Sequence, residues 1–195
     1  MGRISAAALA RVEIDNRYLV GLNRKKREVG RQVYTPYGGV LEATFEGREF
    51  LENLGAEFEW RNNLRLYLDD SLIPSFEDWF FSRTQRETSI YRELREELVD
   101  EDKVFPILPE TVLTCQYINT VTENVPTSRQ GSGGEQTQRY LELIDVKFIS
   151  EYLGMLRDNL LRPDTYLALL TREEIMTGRT EKGIEVGTNC LPLIY

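Results

Sequence analysis

The chain contains no histidine among its 195 residues. That excludes Ser-His-Asp and Cys-His catalysis and any histidine-ligated zinc site. Proton transfer must fall to Asp, Glu, Lys, Tyr, Cys or metal-bound water. Only two cysteines occur, Cys115 and Cys190, too few for a disulfide framework. Cys115 sits in an apolar, strand-like run and reads as a small buried residue. No run of 18 or more apolar residues exists, so no membrane span is expected. Ahead of the short Ala6–Ala10 stretch the only basic side chain is Arg3, which makes a poor signal peptide. Ala6 stands where myristoylation favours Ser or Thr. A cytoplasmic protein is expected. Positive charge is also short: 24 Lys and Arg against 32 Asp and Glu leave a net charge of −8. That argues against binding a nucleic-acid backbone, which needs a cationic surface.

What is present fits one soluble domain over 1–195, with 41% hydrophobic and 29% charged residues. A homo-oligomer is compatible with this composition. Ala8–Ile14 and Arg17–Leu22 read as a hairpin turned at Asp15-Asn16. Asn23–Arg31 carries Arg24, Lys25, Lys26, Arg27 and Arg31. It reads as a solvated loop or as a phosphate-contacting one. Gln32–Thr35 is a short strand, and Pro36 with Gly38-Gly39 forces a turn. Glu46–Leu54 has helical spacing capped by Gly55, and Ala56–Trp60 and Leu64–Leu68 alternate like strands. Phe76–Phe81 is an aromatic-rich short helix, read as core or as a nucleobase platform. Thr111–Thr122 and Thr137–Phe148 are strand candidates, separated by a loop-like stretch containing Gly131-Ser132-Gly133-Gly134. Glu151–Leu161 is helical and Tyr166–Leu170 a short strand. Thr171 with Glu174 forms a capping box for another helix. The apolar end of Gly183–Tyr195 is expected to dock on the body.

The run Thr84–Val99 is the chemically richest. An α-helix turns 100° per residue, so Glu93, Glu96 and Glu97 share one stripe, and Ile90, Leu94 and Leu98 form an offset apolar stripe. Three carboxylates on one stripe suit a hard cation such as Mg²⁺ with substrate phosphates. They equally suit a solvated helix with Arg92–Glu96 as an i,i+4 pair. One continuous helix over 84–98 is expected.

Arg92-Glu93-Leu94-Arg95-Glu96-Glu97 resembles the core of the Nudix box, Arg-Glu-apolar-x-Glu-Glu. Pro36-Tyr37-Gly38-Gly39-Val40-Leu41-Glu42 resembles the Pro-Gly-Gly-x-x-Glu turn that opens it. Gly39 and Arg92 lie 53 positions apart, where the box has about 14, so an insertion of about 40 residues splits the motif. The box Glu falls at Thr84, and its closing Gly and apolar positions fall at Val99 and Asp100. Such an insertion is similar to that of Nudix domains accompanying nucleotidyltransferases in bacterial antiphage operons.

The resemblance implies an α/β/α sandwich with a curved mixed β-sheet and an inserted helix–strand element at 43–83. It implies Mg²⁺ or Mn²⁺ held by Glu93, Glu96 and Glu97, with Arg92 positioning the acids. Gly38 and Gly39 would let backbone approach the metal–phosphate assembly, and Arg24 is a candidate substrate contact. The implied partner is a nucleotide-like small molecule. The implied reaction is hydrolysis of a nucleoside diphosphate linked to another moiety. The departures at Thr84, Val99 and Asp100 favour a second reading, a catalytically weak nucleotide-binding or regulatory module. A separate general base is common in the family, and Glu123, Glu135, Glu142 and Glu151 are candidates by location.

Overall fold

The computed structural model describes residues 1–126 and 136–195. The glycine-rich 131–134 stretch and Glu135 lie outside the described residues. The architecture is mixed α/β, as expected, with its strands in two sheets. The strands are β1 (Gly2–Arg11), β2 (Glu13–Ile14), β3 (Arg17–Leu22), β4 (Val33–Thr35), β5 (Gly38–Val40), β6 (Glu57–Phe58) and β7 (Arg65–Leu68). They continue with β8 (Leu113–Pro126), β9 (Gln136–Phe148), β10 (Leu167–Leu170) and β11 (Glu185–Val186). One sheet runs β6-β7-β1-β9-β8 with β5 on β1, and the other runs β10-β3-β4-β11 with β2 on β3. The helices are α1 (Arg24–Glu28), α2 (Phe45–Asn53), α3 (Ile73–Ser82), α4 (Tyr91–Arg95), α5 (Ser150–Leu160) and α6 (Arg172–Thr177). Among the described residues no helix is long and apolar enough to cross a membrane.

The chain divides into two compact units. The first comprises Met1–Ala8, Gly39–Ser89 and the described part of Thr120–Glu142. It contains residues 43–83, the stretch read from the sequence as an insertion, which supply α2, β6, β7 and α3. Strand β7 pairs antiparallel with β1, Ile4 facing Leu66 and Gly2 facing Leu68. The insertion returns to where it left. Thr44 N–H donates to the Gln85 carbonyl at 2.9 Å, and Glu87 N–H donates to the Glu42 carbonyl at 2.7 Å. Gly47 is required at this seam, because a Cβ there would collide with the Gln85 carbonyl. Phe76, Phe80 and Tyr140 pack with ring centroids 5.2–5.8 Å apart and are fully buried. Phe76, Trp79 and Phe80 of the aromatic run are therefore core, and Phe81 is exposed.

The second unit comprises Leu9–Gly38, Ile90–Asn119 and Leu143–Tyr195. Asp15 and Asn16 both take positive φ (52° and 59°), the backbone that a two-residue hairpin demands. Strand β3, with Leu19 and Val20 buried, pairs antiparallel with β10, β2 and β4, and β11 adds parallel to β4. The capping box forms: Thr171 Oγ1 accepts from Glu174 N–H, and Glu174 Oε2 accepts from Thr171 N–H. The C-terminal segment docks, with Cys190, Leu193 and Ile194 buried.

Three expectations need correction. Residues 84–90 are not helical, and the helix starts at Tyr91. Arg83 and Gln85 hold left-handed backbone (φ 56° and 57°), and Arg86 bridges to Ala43. The seam of the insertion has claimed this segment, overriding local preference. The apolar spacing was nonetheless informative: Ile90, Leu94 and Leu98 are all fully buried. The basic stretch after β3 is a short helix, α1, rather than a loop. Cys115 is exposed rather than buried, because β8 exposes most of its residues.

Candidate functional site

Helix α4 passes without a break into a π-helical turn, Glu96–Glu101. Asp102 N–H donates to the Glu97 carbonyl at 2.8 Å, an i,i+5 bond. Such wide turns concentrate at functional positions. Here the turn stacks Asp102 over Glu97. The turn from β4 into β5 meets both. Gly38 N–H donates to Glu97 Oε2 at 2.7 Å, and the Tyr37 hydroxyl donates to Asp102 Oδ2 at 2.8 Å. Gly38 has a φ of 137°, a conformation that L side chains rarely adopt. Gly21 clears the space for Tyr37: a Cβ there would lie 2.6 Å from the tyrosine oxygen.

Arginines hold the other acids. Arg92 Nη1 lies 2.8 Å from Glu93 and 3.6 Å from Glu96. Glu93 is 16% exposed and Glu96 50% exposed. Arg24, from α1, pairs with Glu101 at 2.7 Å and with Glu28 at 3.5 Å. Arg27 pairs with Asp102 at 3.1 Å and stacks over the Tyr166 ring at 3.6 Å. The candidate substrate arginine, Arg24, is thus a partner of the acidic segment in this arrangement.

Glu97 stands apart. Its pKa is pushed up to about 9, chiefly by burial. The Gly38 N–H bond works in the opposite direction, and the charges of Glu93, Glu101 and Asp102 add to the rise. Tyr37 is held well above its usual value by burial and by Asp102. Among the described residues no three acids form a ready-made cage for a metal ion. The donor chemistry of Glu93, Glu96 and Glu97 does fit a hard divalent cation. A carboxyl whose pKa is raised by burial first and by neighbouring anions second is one that such a cation would favour ionising.

The remaining sequence candidates fall elsewhere. Gly39 and Thr84 belong to the first unit. Thr84, at the place of the box Glu, has its hydroxyl 2.8 Å from that of Ser82. Glu142 is buried in the first unit and held at 2.6 Å by both Arg83 and Arg86. Glu123 pairs with Arg139 at 3.2 Å, and Glu151 lies exposed in the first turn of α5. Sequence reasoning did not single out Asp102, Tyr37, Arg27 or Tyr166. The basic run was a signal for Arg27. Nothing in the spacing pointed to Asp102, because an α-helical reading pairs Glu97 with Glu101.

The chain matches the SMODS-associated NUDIX domain over residues 2–193, and it belongs to that family. No curated protein and no solved structure matches it.

Proposed function

We propose that the chain is a Nudix-type hydrolase that uses Mg²⁺ or Mn²⁺ to cleave a pyrophosphate linkage in a nucleoside diphosphate joined to another moiety. The observation carrying this reading is the 2.7 Å bond from Gly38 to Glu97. It joins the glycine turn of the box to its acidic helix across the long insertion. Glu93, Glu96 and Glu97 would hold the cation, which when bound neutralises phosphate oxygens and supplies an acidified water. The chain's own residues do the positioning. Gly38 fixes one Glu97 oxygen, and Arg92 orients Glu93 and leans on Glu96. Tyr37 and Arg27 hold Asp102, and with it the π turn. The family's association with SMODS proteins supports a place in bacterial antiphage defence.

A second reading has its own support. Thr84 replaces the box Glu, and arginines already neutralise Glu93, Glu96, Glu101 and Asp102. That favours a module that binds a nucleotide-like ligand with little turnover. One experiment separates the two readings. Nucleoside diphosphate-X compounds, dinucleotides and cyclic oligonucleotides are incubated with the protein, with and without Mg²⁺. Product release and ligand binding are measured on the same sample. Mg²⁺-dependent release that is lost in Glu97→Gln supports the hydrolase. Binding without release supports the module.

A further inference from the structure

The second unit holds a cavity of about 660 Å³ that shares no lining residue with Glu93–Glu97. Its floor is apolar, built from β10 together with Leu22, Leu160 and Ile184. Its walls carry three cations, Arg17, Arg162 and Lys182. Among the described residues neither Arg17 nor Lys182 has an ion-pair partner, and Arg162 pairs only with exposed Asp164, at 3.4 Å. Two acids also line the cavity, Glu174 and Glu181. The Glu174 carboxylate is already engaged. Its Oε2 accepts from Thr171 N–H at 2.9 Å and its Oε1 from Glu181 N–H at 3.1 Å. On a chain with a net charge of −8, the recess thus has two cations without an ion-pair partner among the described residues, Arg17 and Lys182, amid charges of both signs.

Tyr34 gives the recess a second polar feature. It lines the cavity and is only 9% exposed, yet its hydroxyl makes no hydrogen bond with any described residue. That hydroxyl opens on the recess, free to meet water or a ligand. Burial and the Glu174 charge raise its pKa, so it remains a donor at neutral pH. Gln32, Thr165 and Thr180 add further hydrogen-bonding groups around the leucine floor.

The ligand class follows from these features together. The volume suits a small organic molecule, and a bare phosphate would leave the floor uncovered. An alkyl body would cover the floor but offer no hydrogen bond to the Tyr34 hydroxyl or to Gln32. Clustered arginine and lysine side chains recognise phosphate. We propose that this cavity is a second ligand site that binds a phosphorylated small molecule of nucleoside monophosphate size. The phosphate meets Arg17, Arg162 and Lys182, and the hydrogen-bonding edges of the body meet Tyr34 and its neighbours.

Calorimetric titration of the full chain in EDTA tests this, with AMP, UMP, octyl phosphate and inorganic pyrophosphate as probes. At least one nucleotide is expected to bind at a single site, at least tenfold more tightly than pyrophosphate or octyl phosphate. The double variant Arg17→Ala/Lys182→Ala, altered at two exposed positions, should weaken that binding at least tenfold. Tyr34→Phe should weaken it several-fold while keeping the wild-type melting temperature, and Glu97→Gln should leave it unchanged. Absence of binding by either nucleotide at millimolar concentration overturns the proposal. Pyrophosphate or octyl phosphate binding as tightly as the nucleotides overturns the assigned ligand class. Binding that responds to Glu97→Gln and not to the Arg17/Lys182 variant would place the ligand at the acidic segment, and also overturns it.

Discussion

The backbone N–H of Gly38 rests 2.7 Å from Oε2 of Glu97, a residue 59 positions further along the chain. The preceding residue, Tyr37, reaches Asp102. Two adjacent residues therefore grip two acids that lie one wide helical turn apart.

Divalent cations should stabilise the protein through Glu97. A ligand that binds only the native state adds about 2.7 kcal/mol at 100 times its dissociation constant. For a chain of this size that is roughly 5–10 °C in Tm. Thermal melts with and without millimolar Mg²⁺ or Mn²⁺ should show the rise in the wild type and not in Glu97→Gln. An unshifted wild type would remove the main support for a metal-dependent hydrolase.

The acidity of Glu97 gives a signed pH dependence. Its pKa is about 9 in the folded protein against an ordinary 4.5, so between those values the folded state holds a proton that the unfolded chain has lost. The stabilisation from this group is complete below about 4.5 and is lost as pH climbs towards 9. Glu97→Gln lacks that titration. In EDTA its unfolding free energy from urea titration should gain on the wild type as pH rises from 5 to 9, by roughly a kcal/mol or more. A constant gap would show that Glu97 is ionised in the native state.

In the first unit Arg86 should matter more than Arg83. Arg86 is 0% exposed and Arg83 26%, and both bind the buried Glu142. Removing one member of a buried pair typically costs about 3–5 kcal/mol. Arg86→Met should approach that range, whereas Arg83→Met should lose roughly 1.5–3 kcal/mol. Urea unfolding of both variants decides the order.

Gly21→Ala should destabilise the protein by driving a methyl group against the Tyr37 hydroxyl. Overpacking of this kind costs typically 1–3 kcal/mol. Tyr37→Phe removes the oxygen and should recover part of the loss, so the two substitutions should couple in a double-mutant cycle. Strict additivity would mean that the clash is relieved elsewhere.

Local patterns in the sequence were reliable where local physics governs them. The hairpin at Asp15-Asn16, the capping box at Thr171 and the buried stripe of Ile90, Leu94 and Leu98 all have short-range causes. The looping-out of the insertion followed from two motif halves that had to meet. The rest depends on partners distant in sequence. Residues 84–90 read as helix until Arg86 is seen buried against Glu142. Residues 24–28 read as a solvated loop until Arg24 and Arg27 are seen paired with Glu101 and Asp102. The π turn is invisible to a 3.6-residue period, and so was the role of Asp102.

That wide turn makes the segment a ruler graduated in single residues. An α-helix advances 100° per residue. Deleting one residue between Leu98 and Glu101 would turn the Asp102–Glu97 bond into an ordinary i,i+4 one and leave Asp102 over Glu97. Glu97 would keep its place on Gly38. A single-codon deletion there would keep both grips, whereas winding the full-length segment as α-helix would put Glu101 in the place from which Asp102 meets Tyr37.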